Sequence, residues 1–191
     1  MMKKDIEPLE LNCFYHIYNK GINGAQIFFS HANYLYFLKC VSEKTASVAG
    51  IYSYCLLQGH FHILIKTKSE EDIRAVFAEK QDVNKVISQQ FSNAFNSYSQ
   101  AINKRFGRTG KLFELPFRRK KIKSEQQLIK SVLHINKNPA KHHVTEDFLN
   151  YPYSSVADIL SSTALTAEYH EVIALFNGVE NFKKSLSEFQ T

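Results

Sequence analysis

The sequence is poor in cysteine and has no long apolar run, and both shortages narrow its class. Three cysteines in 191 residues, Cys13, Cys40 and Cys55, lie far apart with no C-x-x-C pair. That spacing argues against a disulfide framework or a cysteine zinc site, and it fits a reducing cytoplasm. No apolar stretch approaches the roughly 20 residues that cross a bilayer, so no membrane partner is expected. The opening MMKKDIEPLELNCF has two lysines but no apolar h-region and does not read as a secretory signal. Internal repeats and low-complexity tracts are also missing. What is left is an ordinary globular composition, 44% hydrophobic and 22% charged, on a chain long enough for one domain with a real core. Residues 1–160 are expected to form that domain, with 161–191 as a helical extension packed on it.

A local shortage of acid is more informative than the net charge of +6. Between residues 104 and 123 the basic side chains are Lys104, Arg105, Arg108, Lys111, Arg118, Arg119, Lys120, Lys121 and Lys123, and only Glu114 opposes them. Phe106, Leu112, Phe113, Leu115 and Phe117 interleave with these charges, which marks a folded segment and not a basic tail. A folded basic patch carrying aromatics suits a polyanion, most simply a nucleic acid.

Periodicity outlines the elements. LNCFYHIYN (11–19) reads as a strand, KGINGA as a turn, and 31–49 as a helix with Leu35, Leu38, Val41 and Val48 on its apolar side. IYSYCLL and HFHILIK, separated by Gln58-Gly59, form a hairpin. Ser69 and Asp72 mark a helix start. Residues 82–106 form a long helix with Val83, Val86, Ile87, Phe91, Phe95, Tyr98 and Ile102 on one stripe. A glycine turn and a basic extended segment follow, then the capped helix SEQQLIKSVLHINKN, which Pro139 is expected to end. TAEYHEVIALF and VENFKKSLSEF are helical. The order β-α-β-β-α predicts an α+β fold, a ferredoxin-like split β-α-β sandwich with an antiparallel sheet and added C-terminal helices.

The hairpin's return strand carries the chemistry. Side chains alternate faces along a strand, so His60 and His62 share one face, and neutral imidazole is the commonest protein metal ligand. His16, in the first strand beside the hairpin, is read as a core histidine or one supporting the site from behind, and His142-His143 as local packing, with contact to phosphate as the alternative.

YSYCLLQGHFHILIK resembles the HUH motif (His, hydrophobic, His) of single-tyrosine transposases, in particular the group of REP-associated tyrosine transposases. FYHIYNKGINGAQIFF is similar to that family's first strand and turn. The stretch from ISQQF to RRKKI is similar to its central helix and basic strand, and INKNPAKHHV with YPYSS to its Asn-Pro segment and the Tyr-x-x-Ser-Ser after it. The resemblance covers most of residues 11–160. It implies a transposase acting on single-stranded or hairpin DNA, with His60, His62 and Asn138 holding Mg²⁺ or Mn²⁺. It further implies a tyrosine nucleophile that forms a 5′-phosphotyrosine, contacts to DNA from the basic residues, and a homodimer. Two positions depart from the pattern. Gln58-Gly59 stands where Pro-Asn is usual, and His134 occupies the tyrosine position four residues before Asn138. Three readings follow: a scaffold that binds DNA without cutting it, a replacement nucleophile at Tyr98, or His134 as a third nitrogen ligand that favours Zn²⁺ and hydrolysis.

Overall fold

A computed structural model of the chain describes residues 7–77, 82–161 and 166–190. The strands are β1 (Phe14–Lys20), β2 (Ala49–Leu57), β3 (His60–Thr67) and β4 (Arg118–Lys121). The helices are α1 (His31–Thr45), α2 (Glu70–Arg74), α3 (Val83–Phe106), α4 (Glu125–Lys141), α5 (Val156–Leu160), α6 (Ala167–Leu175) and α7 (Val179–Glu188). The strands form one antiparallel sheet in the order β2-β3-β1-β4. The third strand therefore sits between the first two, as the split β-α-β reading expects.

Strand alternation sends alternate side chains to two separate cores. Tyr15, Ile17, Phe61, Ile63 and Ile65 face α1 and α3, where Phe37, Phe91, Phe95 and Tyr98 close the layer. Leu64, Cys55 and Leu57 face the other way, toward Val132 and Ile135 of α4 and Phe182 and Leu186 of α7. The predicted stripe of α3 is buried throughout. α1 ends at Thr45, short of the expected 49, because β2 begins at Ala49; Val41 and Val48 are buried as expected, but Tyr34, Phe37 and Cys40 form the rest of the buried face and Leu35 is half exposed. The aromatic rings of Tyr34 and Phe37 pack on Phe28 and set the helix's rotation, which leaves the smaller Leu35 outside.

Helix ends follow local chemistry. Asp82 caps α3 by accepting from the backbone N–H groups of Asn84 and Lys85. Gly107 ends it in a left-handed conformation, φ 59°, which costs a residue without Cβ nothing. Ser124 caps α4 by accepting from Gln127 N. Pro139 does not end α4; it lies within the last turn. Proline leaves the carbonyl four residues back without its usual donor. Asn138 compensates, because its Nδ2 donates to Ile135 O at 3.3 Å and to His134 O at 2.9 Å.

A small buried polar cluster ties α4 to the sheet. The β2–β3 register slips between Ile51 and Ser53. Alternation back from Cys55 and Leu57 puts Ser53 on the α4 side of the sheet, immediately after this bulge. Asn136 Nδ2 donates to Ser53 Oγ at 3.0 Å, Ser155 Oγ donates to Asn136 Oδ1 at 2.9 Å, and the two hydroxyls lie 3.1 Å apart. Tyr54 N donates to Ser155 Oγ and Tyr151 Oη donates to Leu56 O, so the YPYSS segment is stitched along the outer edge of β2. Asn136→Ala strands buried hydroxyls, and the expected loss is about 1–3 kcal/mol of stability, measured as a lowered urea midpoint at unchanged slope.

Candidate active site

The β1–β3 register gathers the histidines. Tyr18 lies opposite His62 and Lys20 opposite His60, so His60, His62, His16 and Tyr18 all project from the α4 face of the sheet. α4 lies across that face and adds His134 and Asn138, one helical turn apart. His60 and His62 have ring centroids 5.3 Å apart, and His62 and His134 6.1 Å. A cavity of about 480 Å³ opens here, with His60, His62, His134, His142, Asn138 and Tyr18 in its wall and Lys20, Arg118 and Lys141 among its lining residues.

Two atoms in this wall are buried without a hydrogen-bond partner, His60 Nε2 and Asn138 Oδ1. The Asn138 amide cannot turn to relieve this, since both of its donor contacts are to helix carbonyls that only Nδ2 can satisfy. Its carbonyl oxygen is thus held as the free end. His62 contributes a third acceptor. Its Nδ1 lies 2.9 Å from His16 Nε2; when His62 is the donor in that contact, the Nε2 lone pair is left open. An unpartnered imidazole nitrogen and amide oxygen, with the His62 ring beside them in a cavity with basic side chains in its lining, fit a divalent cation. His134 is not part of a closed nitrogen set: among the described residues, no group of three or more His, Cys, Asp or Glu side chains is arranged to hold a metal.

Burial keeps these imidazoles neutral, as metal ligands must be. Desolvation holds His16 and His60 down at about 4, the latter with help from neighbouring His142, and His62 lower still, beside His16. His134 is also lowered by desolvation and by the nearby Lys141.

The structure sorts the other sequence candidates. It does not bring Tyr98 to the site. That ring is fully buried on the opposite face of the sheet and its hydroxyl donates to Ile27 O at 2.7 Å. Desolvation pushes the phenol well above its ordinary value, so it offers neither access nor an available anion. The basic run divides by strand alternation. Arg118 and Lys120 lie on the histidine face, opposite Tyr18 and His16. Arg119 turns to the other side, donating to Ser88 Oγ with its guanidinium 4.0 Å from the centroid of Phe117, and Lys121 is paired with Glu10 at 2.8 Å. Lys104, Arg105, Arg108 and Lys111 are on the α3 side and none of them lines the histidine cavity. Lys120 and Lys130 border a second cleft with His16 and His134, so the basic surface continues past His134 along α4. His16 stands behind His62, the supporting position its strand suggested, and His142 packs against His60. Sequence reasoning misses Tyr18, Lys20, Lys130 and Lys141. The alternation of β1 is the available signal for Tyr18, but it needs the β1–β3 pairing to be of use.

No protein-family model and no curated protein sequence matches the chain. Among solved structures it is similar to a REP-associated tyrosine transposase bound to a REP hairpin, with a TM-score of 0.67 at 12% identity, covering 87% of this chain and 89% of that one. The α+β architecture is therefore that of a transposase fold. A bacterial tRNA(His) guanylyltransferase-like protein in complex with GTP also matches, at a TM-score of 0.42 and 13% identity over 75% and 72% of the two chains, too remote to inform the site. Among the described residues, no helix is long and apolar enough to cross a membrane.

The histidine values carry a pH consequence. A group lowered on folding is protonated more readily in the unfolded chain, so its contribution is complete above about 6.5 and is lost as pH falls through the folded value. Stability is expected to decline from pH 6.5 toward 4, and His16→Asn or His60→Gln to flatten that decline, as read from urea midpoints across the pH range.

Proposed function

We propose that the protein is a transposase-like, HUH-type DNA-binding protein that holds single-stranded or hairpin DNA against a divalent cation. The carrying observation is the pair of buried, unpartnered acceptors, His60 Nε2 and Asn138 Oδ1, in a cavity whose lining includes Lys20, Arg118 and Lys141. Acceptors in the wall suit a cation, and the basic side chains suit the phosphate it would share.

His60, His62 and Asn138 would hold the ion. Two imidazoles with one amide oxygen leave positions open for water and phosphate oxygens, which favours Mn²⁺ or Mg²⁺ over a closed tetrahedral Zn²⁺ site. When bound, such an ion acts as a Lewis acid on a phosphate oxygen. Arg118, which donates to Glu114 at 3.2 Å through one nitrogen, has further planar donors for the same phosphate, while Lys120 and Lys130 extend a path for the backbone on either side of it. His16 fixes the His62 ring by their mutual hydrogen bond. In this reading the DNA lies on the α4 side, away from the cluster at the end of α3. Endonuclease and strand-transfer chemistry of the kind that mediates DNA transposition by a mobile element belongs to this reading, as do a cytoplasmic location and a homodimer.

A second reading, a single-stranded nucleic-acid-binding protein without catalysis, is favoured by one observation: His134 stands where the resemblance places the tyrosine. Metal binding separates the two readings, because a plain binding surface has no need of His60 and Asn138.

Two measurements test the proposal. Mn²⁺ binding followed by calorimetry should be lost in His60→Ala and in Asn138→Ala; undiminished binding in both would sink the metal assignment. Affinity for a hairpin-tipped single strand should fall in Arg118→Ala and Lys120→Ala, each lowering the log–log salt slope by about 0.7 for every phosphate the variant no longer neutralises. Arg119→Ala, which removes a side chain committed to Ser88 and Phe117, should leave the slope unchanged.

A further inference from the structure

The chain has ten tyrosines, and their surroundings differ sharply. Tyr15 and Tyr98 are fully buried. Tyr52 and Tyr54 donate to Glu171 and Asp158, and Tyr151 to Leu56 O. Tyr18 is the one tyrosine in the wall of the histidine cavity.

We propose that Tyr18 is the nucleophile of this protein, presented from strand β1 in place of the helix position that His134 occupies. The register sets Tyr18 opposite His62 on one side and opposite Arg118 on the other. It therefore stands between a residue assigned to the cation and a guanidinium suited to phosphate. Its ring lies nearly parallel to that of His62, centroids 5.9 Å apart at 20°, and 5.0 Å from that of His16. These rings hold the phenol from the ring side, whereas its hydroxyl makes no hydrogen bond among the described residues. A phenol whose ring is fixed, whose oxygen is uncommitted and whose neighbours suit a phosphodiester is what covalent phosphoryl transfer requires.

The step balances without a further reactant. A bond forms between Tyr18 Oη and phosphorus as the bond from phosphorus to the 3′ oxygen breaks. The phenolic proton ends on the released 3′ hydroxyl, and the 5′ side of the DNA stays attached to the protein as a phosphodiester. The reverse attack by a 3′ hydroxyl rejoins the strand. His134, which brings no phenol, borders both this cavity and the Lys120–Lys130 cleft, so it lies along the DNA path rather than at its point of attack.

The inference rests on the reading of the cavity as a site for DNA phosphate, and the test keeps the two separable. Full-length protein is incubated with hairpin-tipped single-stranded DNA and Mn²⁺, resolved on a denaturing gel, and the adduct located by tandem mass spectrometry, which must distinguish Tyr18 from Tyr15. The expected result is an adduct on Tyr18 that is lost in Tyr18→Phe and kept in Tyr98→Phe, with circular dichroism showing that Tyr18→Phe folds. An adduct on another residue, or one that survives Tyr18→Phe, overturns the proposal. So does the absence of any adduct in the wild type. In that event His134→Tyr decides what failed: an adduct at position 134 leaves the DNA and metal reading standing and removes only Tyr18, while loss of Mn²⁺ and DNA binding altogether removes the reading of the cavity itself.

Discussion

The position of α4 over the sheet rests on three buried polar side chains, Ser53, Asn136 and Ser155. Apolar packing is not directional, so Val132 and Ile135 alone would tolerate a helix that slides or rotates by a fraction of a turn. The amide of Asn136, bonded to hydroxyls from β2 and from the segment after α4, admits one setting. Asn138 follows two residues later and His134 precedes it by two, so the clamp sits between the two site residues that α4 supplies. Ser53 reaches this clamp by plain strand alternation, in phase with Cys55 and Leu57.

Within the cavity, hydrogen bonding and burial act together. The carbonyl of Ile135, freed by Pro139, and that of His134 fix the Asn138 amide, and His16 fixes His62. The acceptors that remain are therefore oriented before any ligand arrives, which lowers the ordering cost of binding. Around them the lysine and arginine side chains supply positive potential without filling the wall. Unpartnered acceptors and basic side chains thus occupy adjoining parts of one cavity.

Much of this is legible in the sequence. The hairpin, the α3 stripe, the helix caps and the β-α-β-β-α order come from period and turn chemistry, and they carry the fold class. The HUH pair and Asn138 are legible as motif positions. What stays hidden depends on contacts across the chain. Pro139 resembles a helix terminator because nothing local reveals that Asn138 satisfies the carbonyl it frees. Leu35 fits a buried stripe by spacing, but the aromatics that rotate α1 act from Phe28. Tyr98 belongs to the α3 stripe by period, yet only the sheet order shows that this stripe and the histidines lie on opposite sides. The basic run is the reverse case: once residues 118–121 are known to be a strand, alternation alone assigns Arg119 and Lys121 to the far face.

That strand is also an edge. β4 closes one side of the sheet; Glu7 caps its Lys121 N–H, and the outward backbone groups of an edge strand are a template on which a second chain can dock. Four consecutive positive charges make such docking costly between identical molecules. Arg118 and Lys120 on the cavity face, and Arg119 and Lys121 on the other, thus guard the edge from both sides of the sheet. Shedding charge from β4 would leave that edge barer, so colloidal stability limits how far the composition of this strand can drift.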